Sequence, residues 1–189
     1  MAGIIGLVLL LVMVLWLYGT YASVIKKRNK VQEAFSSIDV QLKKRYDLIP
    51  NILTIAQKFM DYERSLIEDV TKLRVEVQKM GNDFNSINKK MELANEIADK
   101  MGKIMVAVEN YPQLKSDATM VTAMQTYNEV EEHISAARRF YNSAANELKN
   151  AVEIFPSSFM ASMLGITSVG FFTVDESERK PINADAYLK

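Results

Sequence analysis

Cysteine is absent from the 189 residues, which excludes disulfides, thiolate metal sites, cysteine nucleophiles and a lipid-bearing cysteine anchor. Histidine is almost absent. His133 is the only one, so one chain cannot build a site that needs two imidazoles, such as a zincin helix or a di-iron bundle. An excess of either charge is also missing: 23 Lys plus Arg balance 23 Asp plus Glu. No global field therefore favours nucleic acid, and electrostatic partners must be sought in local clusters. No Gly-rich phosphate loop and no Gly-x-Ser-x-Gly elbow occurs. The sequence thus offers no catalytic residue, no metal ligand set and no cofactor site. Its length fits one domain with an appendage.

What the chain does have is a long uncharged beginning. From Ala2 to Ile25 no side chain carries a charge, and thirteen of these residues are Leu, Ile or Val. At about 1.5 Å of rise per residue the stretch crosses a hydrocarbon layer of roughly 30 Å. At about −0.3 to −0.6 kcal/mol for each apolar side chain near the centre, insertion is favoured by several kcal/mol. The span is expected to be a single transmembrane helix, with Leu7, Leu10 and Leu11 in its lipid-facing centre and Trp16, Tyr18 and Tyr21 at headgroup depth. A cleaved signal peptide would show a basic start, a shorter apolar core and a better cleavage site than Thr20-Tyr21-Ala22. Lys26, Lys27, Arg28 and Lys30 follow at once. They are expected to contact anionic lipid and, by the positive-inside rule, to hold the bulk of the chain in the cytoplasm with the N-terminus outside.

Residues 26–155 read as four amphipathic helices. The first carries Val31, Phe35, Ile38, Leu42 and Tyr46 and has neither Gly nor Pro separating it from the span, so anchor and domain are expected to form one helix. Asp47-Leu48-Ile49-Pro50-Asn51 reads as a boundary, with Asp capping a new helix and Pro in its first turn. The second stripe is Ile49, Leu53, Ala56, Met60, Ile67, Val70, Leu73 and Val77. Met80-Gly81-Asn82-Asp83 supplies a stop and a cap. The third stripe is Ile87, Met91, Ala94, Ala98, Met101, Met105 and Val108, ended by Tyr111-Pro112, and its methionines are core fillers rather than a soft-metal route. The fourth is Tyr127, Val130, Ile134, Ala137, Tyr141, Ala144, Leu148 and Phe155. Short links between long helices predict an all-α, antiparallel four-helix bundle. The organisation expected is therefore an anchor at 1–25, a helical domain at 26–155 and an irregular segment at 156–189, apolar to about residue 174 and polar beyond.

From Ile154 to Val174 no charged residue appears, and Phe155, Phe159, Met163, Leu164, Phe171 and Phe172 need cover. The plain reading folds the segment against the end of the bundle; contact with a second copy or with the membrane surface is the alternative. Lys43-Lys44-Arg45 has a plain reading as cations offsetting a helix C-terminus and a functional one as a docking patch for an acidic partner. His133, among Glu129, Glu131 and Glu132, lacks the Glu three residues earlier that a di-iron motif needs, and reads as solvent-facing.

Arg28-Asn29-Lys30-Val31, Ala34 and the run Ser37-Ile38-Asp39-Val40-Gln41-Leu42-Lys43-Lys44-Arg45-Tyr46-Asp47-Leu48-Ile49-Pro50-Asn51 closely resemble the hallmark stretch of the LemA family. Tyr111-Pro112-Gln113-Leu114-Lys115, Ala137-Arg138-Arg139-Phe140-Tyr141-Asn142 and Phe155-Pro156-Ser157-Ser158 look like its later blocks, so the resemblance covers roughly residues 1–175. Where a second Tyr-Asn pair is expected after Tyr141-Asn142, this chain has Leu148-Lys149. The resemblance implies a bacterial single-pass membrane protein with a short outer N-terminus, an inner bundle of long helices and no established enzymatic activity. Two functions are carried forward. One is a non-enzymatic scaffold that forms homo-oligomers at the cytoplasmic membrane face. The other is an adaptor recruiting a membrane protease or sensor, with Asp39, Lys43, Lys44, Arg45, Tyr46, Asp47, Pro50 and Asn51 as the motif surface.

Overall fold

A computed structural model describes residues 1–60, 62–80 and 87–172. The fold is all-α: six helices and no strand occur among the described residues. Helix α1 (Ala2–Ala56) is 55 residues long and passes without a break from the apolar stretch into the first amphipathic one. It is followed by α2 (Arg64–Lys79), α3 (Ile87–Val108), the single turn α4 (Pro112–Lys115), α5 (Ala118–Glu153) and α6 (Ser157–Met163).

The boundary expected at Asp47–Asn51 is not there. Helix α1 continues through Pro50 to Ala56, so the second predicted stripe is divided between the end of α1 and α2. A proline inside a helix normally costs about 3 kcal/mol, in part because the carbonyl four residues earlier loses its donor. Here that carbonyl belongs to Tyr46, and it accepts a hydrogen bond from Arg74 Nε of α2 at 2.8 Å. The chain turns instead after Ala56, where Lys58 N–H reaches the Ile55 carbonyl at 3.2 Å and Phe59 N–H the Ala56 carbonyl at 3.0 Å.

Met80 ends α2 as its C-cap; Gly81, Asn82 and Asp83 lie outside the described residues, as does the polar tail from 173 onward. In α3 the buried face is Met91, Ala94, Ile97, Met101, Ile104 and Val108. Ala98 and Met105, expected on that face, are half-buried, because Ile97 and Ile104 keep the three-and-four spacing better. Tyr111 and Pro112 end the third stretch by starting α4. Helix α5 begins at Ala118, well before the expected Tyr127, because Asp117 caps it: Asp117 Oδ1 accepts from Met120 N–H at 2.9 Å. From Tyr127 to Leu148 the fourth stripe is buried as read, whereas Phe155 lies past the helix end and is exposed.

The chain divides into two compact units, and α1 and α5 each supply both. One comprises Phe35–Ala137. Within it α2 runs antiparallel to its neighbours: Arg74 meets Tyr46, each ten residues from the link between Ala56 and Arg64, and Asp69 meets Lys100 at 3.0 Å across the α2–α3 reversal. Its core holds Ile38, Leu42, Ile49, Ile52, Ile67, Ile97, Met101, Ile104, Leu114 and Met120.

The other unit comprises Met1–Ala34 and the chain from Arg138 onward. Here α1 and α5 meet through Lys30 Nζ and Glu147 Oε1 at 2.7 Å, with Val24, Val31, Ala34, Tyr141, Ala144, Leu148 and Ala151 buried. Helix α6 ends in a left-handed turn at Gly165 (φ 63°). Ile166 N–H bonds the Ala161 carbonyl at 2.9 Å and Gly165 N–H the Ser162 carbonyl at 3.1 Å, the paired bonds of a Schellman stop, which a residue with a Cβ adopts only under strain.

Candidate functional site

Arg45 is the largest side chain wholly buried in the Phe35–Ala137 unit, with no exposed surface. The spacing Ile38, Leu42, Arg45, Ile49 puts it on the core stripe of α1. Its guanidinium donates from Nη1 to Glu131 Oε1 of α5 at 2.7 Å and from Nη2 to the Ala94 carbonyl of α3 at 2.8 Å. One cation thereby joins three helices. Burial works against its charge, but Glu131 together with Tyr127 and Tyr46 more than offsets that, and the Arg45 pKa lies above the ordinary value. Tyr46 and Tyr127 line the same region, and burial raises the pKa of both phenols. The Tyr46 hydroxyl interacts with Arg45, and the Tyr127 hydroxyl with both Arg45 and Glu131.

The motif residues do not form one surface. Arg45 and Tyr46 are inside the unit, Pro50 is half-buried, and Lys43, Lys44, Asp47 and Asn51 are exposed. As a docking residue Arg45 is therefore corrected: its partner is Glu131 of the same chain, and it has no face to offer. The reading of Lys43-Lys44-Arg45 as cations at a helix C-terminus falls with the boundary it assumed. Asp39, Lys43, Tyr46 and Asp47 do come together with Val77, Gln78, Met80 and Lys90 around a notch of about 210 Å³, where Lys90 is ion-paired to Asp39.

A cleft of about 490 Å³ in this unit lies where α3, α4 and α5 meet. Val108, Leu114, Met120, Val121 and Met124 give it an apolar floor, and Glu109, Lys115, Glu129 and Glu132 stand at its edge. Glu109 and Lys115 pair with each other. His133 is exposed, and no group of three metal-binding side chains occurs among the described residues.

In the other unit Tyr141 and Asn142 clamp the returning C-terminal segment. Asn142 accepts from Phe172 N–H and donates to the Phe172 carbonyl, both at 2.8 Å, while the Tyr141 hydroxyl donates to the Gly170 carbonyl at 3.2 Å and its ring meets that of Phe172 at 4.5 Å. Where a second Tyr-Asn pair was expected, Leu148 is a core residue and Lys149 lies over the Phe171 ring at 5.9 Å. Of the juxtamembrane bases, Lys26 and Arg28 are exposed and Lys27 is half-buried, while Lys30 is engaged by Glu147 and by the Phe140 ring at 6.0 Å. Every large apolar side chain from Ile4 to Tyr18, including Leu7, Leu10, Leu11 and Trp16, is exposed, as is Tyr21.

Sequence reading missed Glu131, Lys90 and Tyr127 as partners of the motif, since pairing between distant helices leaves no local trace. The position of Arg45 on a core stripe was a usable signal.

The sequence profile of the LemA family matches residues 34–185, most of the chain. The chain belongs to the LemA family. The match begins beyond the apolar span. Among curated relatives, this LemA-family chain is 22% identical over 165 residues to Protein LemA of Metamycoplasma hominis, covering 87% of this chain and 74% of that one. It is 23% identical over 184 residues to Magnetosome protein MamQ of Magnetospirillum gryphiswaldense, covering 86% and 68%, and 21% identical over 184 residues to Magnetosome protein MamQ 1 of Paramagnetospirillum magneticum, with the same coverage. Among the described residues one helix, at the N-terminus, is long and apolar enough to cross a membrane, which suggests membrane anchoring.

Proposed function

We propose that this LemA-family chain is a non-enzymatic scaffold, held in the bacterial cytoplasmic membrane by α1 with its N-terminus outside, that self-associates at the cytoplasmic face. The observation that carries the reading is how its charges are used. Among the described residues the buried charged side chains are Arg45 and Lys90, and they pair with Glu131 and Asp39 across helices, so they tie the fold together rather than face a substrate. The cleft floored by Val108, Leu114, Met120, Val121 and Met124 is an apolar surface with the character of a protein contact. Orientation follows from Lys26, Lys27 and Arg28 directly after the uncharged stretch.

Because the chain has no cysteine, Val121→Cys gives a clean oxidative crosslinking probe. A disulfide-linked dimer, the end product when each chain carries one thiol, is expected in membranes, with a particle larger than one chain in mild detergent; a strict monomer in both experiments ends the proposal.

A second reading rests on the notch at Asp39, Lys43, Asp47 and Lys90 beside exposed Lys44: an adaptor that recruits a membrane protein, such as a protease or sensor, by polar contacts. Crosslinking in cells from Lys44→Cys separates the two, since one dominant heterologous product favours the adaptor and self-products favour the scaffold.

A further inference from the structure

We infer that α6 and the turn before it are a second membrane contact, with Ile154, Phe155, Phe159 and Met163 entering the boundary between headgroups and acyl chains in the leaflet where α1 leaves the bilayer. The inference rests on the reading of α1 as the anchor. Its first support is an inside-out helix. In α6 the small Ala161 is fully buried, whereas Phe159 is 64% and Met163 69% exposed, and Phe155 just before them is 77% exposed. Large apolar groups face outward and the small one packs inward, the reverse of a water-facing surface helix.

The second support is level. The Lys30–Glu147 pair fixes the register of α1 against α5. Six residues back along α1 lead to Val24, six residues on along α5 lead to Glu153, and both paths cover about 9 Å. The end of α5 is therefore level with the end of the uncharged stretch, beside Tyr21 and Lys26. The chain then returns: Gly170 and Phe172 are bonded to Tyr141 and Asn142, further back along α5. Helix α6 thus occupies the membrane-side apex of this excursion. The third support is charge, because no charged side chain occurs from Ile154 to Phe172, and nothing at the apex resists burial in lipid. A second copy of the chain would have to present its own apolar surface at the same height, next to a bilayer that already supplies one.

Trp16 is the only tryptophan, which makes the test direct. The full chain is reconstituted into vesicles of phosphatidylcholine and phosphatidylglycerol, with or without bromine on shallow acyl carbons. Wild-type Trp16 reports on the anchor, and Trp16→Phe combined with Phe159→Trp, or separately with Phe155→Trp, reports on α6. The inference expects the introduced indoles to lose emission in brominated vesicles to a degree comparable with Trp16, and Val106→Trp in the Trp16→Phe background to lose none. Quenched Trp16 with unquenched indoles at 155 and 159 overturns the inference and leaves the anchor standing. If those unquenched indoles shift to the blue as the protein-to-lipid ratio rises, a second copy covers α6 instead. If Trp16 itself is unquenched, the anchor reading falls and the inference falls with it.

Discussion

Arg45 shows how a single side chain decides between surface and core. A guanidinium with no access to water is tolerable only if its charge is met inside, and Glu131 and the Ala94 carbonyl meet it. The pair is asymmetric, because the Glu131 side chain keeps 31% of its exposure and Arg45 keeps none. Removing the arginine leaves a carboxylate that can turn to water; removing the carboxylate strands a buried cation. Glu131→Ala is therefore expected to destabilise by about 3–5 kcal/mol and Arg45→Met by clearly less, which chemical unfolding of the full chain in mild detergent measures. Equal costs, or the reverse order, would contradict the burial seen here. The neighbouring phenols give a pH dependence. Burial raises the pKa of Tyr46 and Tyr127, so the folded state keeps them neutral after the unfolded chain has begun to ionise near pH 10. Their contribution is whole below that pH and is lost as pH rises towards the folded values. Tyr127→Phe is expected to flatten the loss of stability above pH 10, which chemical unfolding across that pH range measures.

At the scale of the element, Pro50 is the informative failure. Read locally it ends a helix, yet α1 continues to Ala56 because Arg74 supplies the donor that Pro50 lacks. In an interaction of this kind a hydrogen bond from a charged group contributes about 1.5–3 kcal/mol. Arg74→Met should cost that much in the wild-type chain and little in a Pro50→Ala background, where the restored N–H bonds the Tyr46 carbonyl; a double-mutant cycle reads the coupling, and strict additivity would refute the compensation. The same contrast marks what was legible in the sequence. The stripes from Val31 to Tyr46 and from Tyr127 to Leu148 could be read because burial along a helix repeats every three or four residues. The Asp117 cap is local too, and would have placed the start of α5 correctly. The partners Arg74, Glu131 and Lys90 lie on other helices, and spacing within one segment carries no information about them. For that reason the motif read as one surface, although Arg45 and Tyr46 are interior.

For the molecule as a whole, the opening stretch decides where the protein works. Of the thirteen Leu, Ile or Val side chains between Ala2 and Ile25, the eleven from Ile4 to Leu17 are exposed, with no cover from the other described residues. At about −0.3 to −0.6 kcal/mol each near the bilayer centre they favour insertion by several kcal/mol, and two central arginines at about +2.5 to +3.5 kcal/mol each cancel a gain of that size. Leu10→Arg combined with Leu11→Arg should therefore move the protein from the membrane pellet to the soluble fraction or to aggregates, whereas Leu10→Ala with Leu11→Ala should leave it in the membrane. Residues 34–185, which carry the family resemblance, are untouched by either pair, so helical content by circular dichroism distinguishes release from misfolding. Retention of the double-arginine variant in the membrane after an alkaline carbonate wash would mean that the apolar stretch is not what holds the chain there.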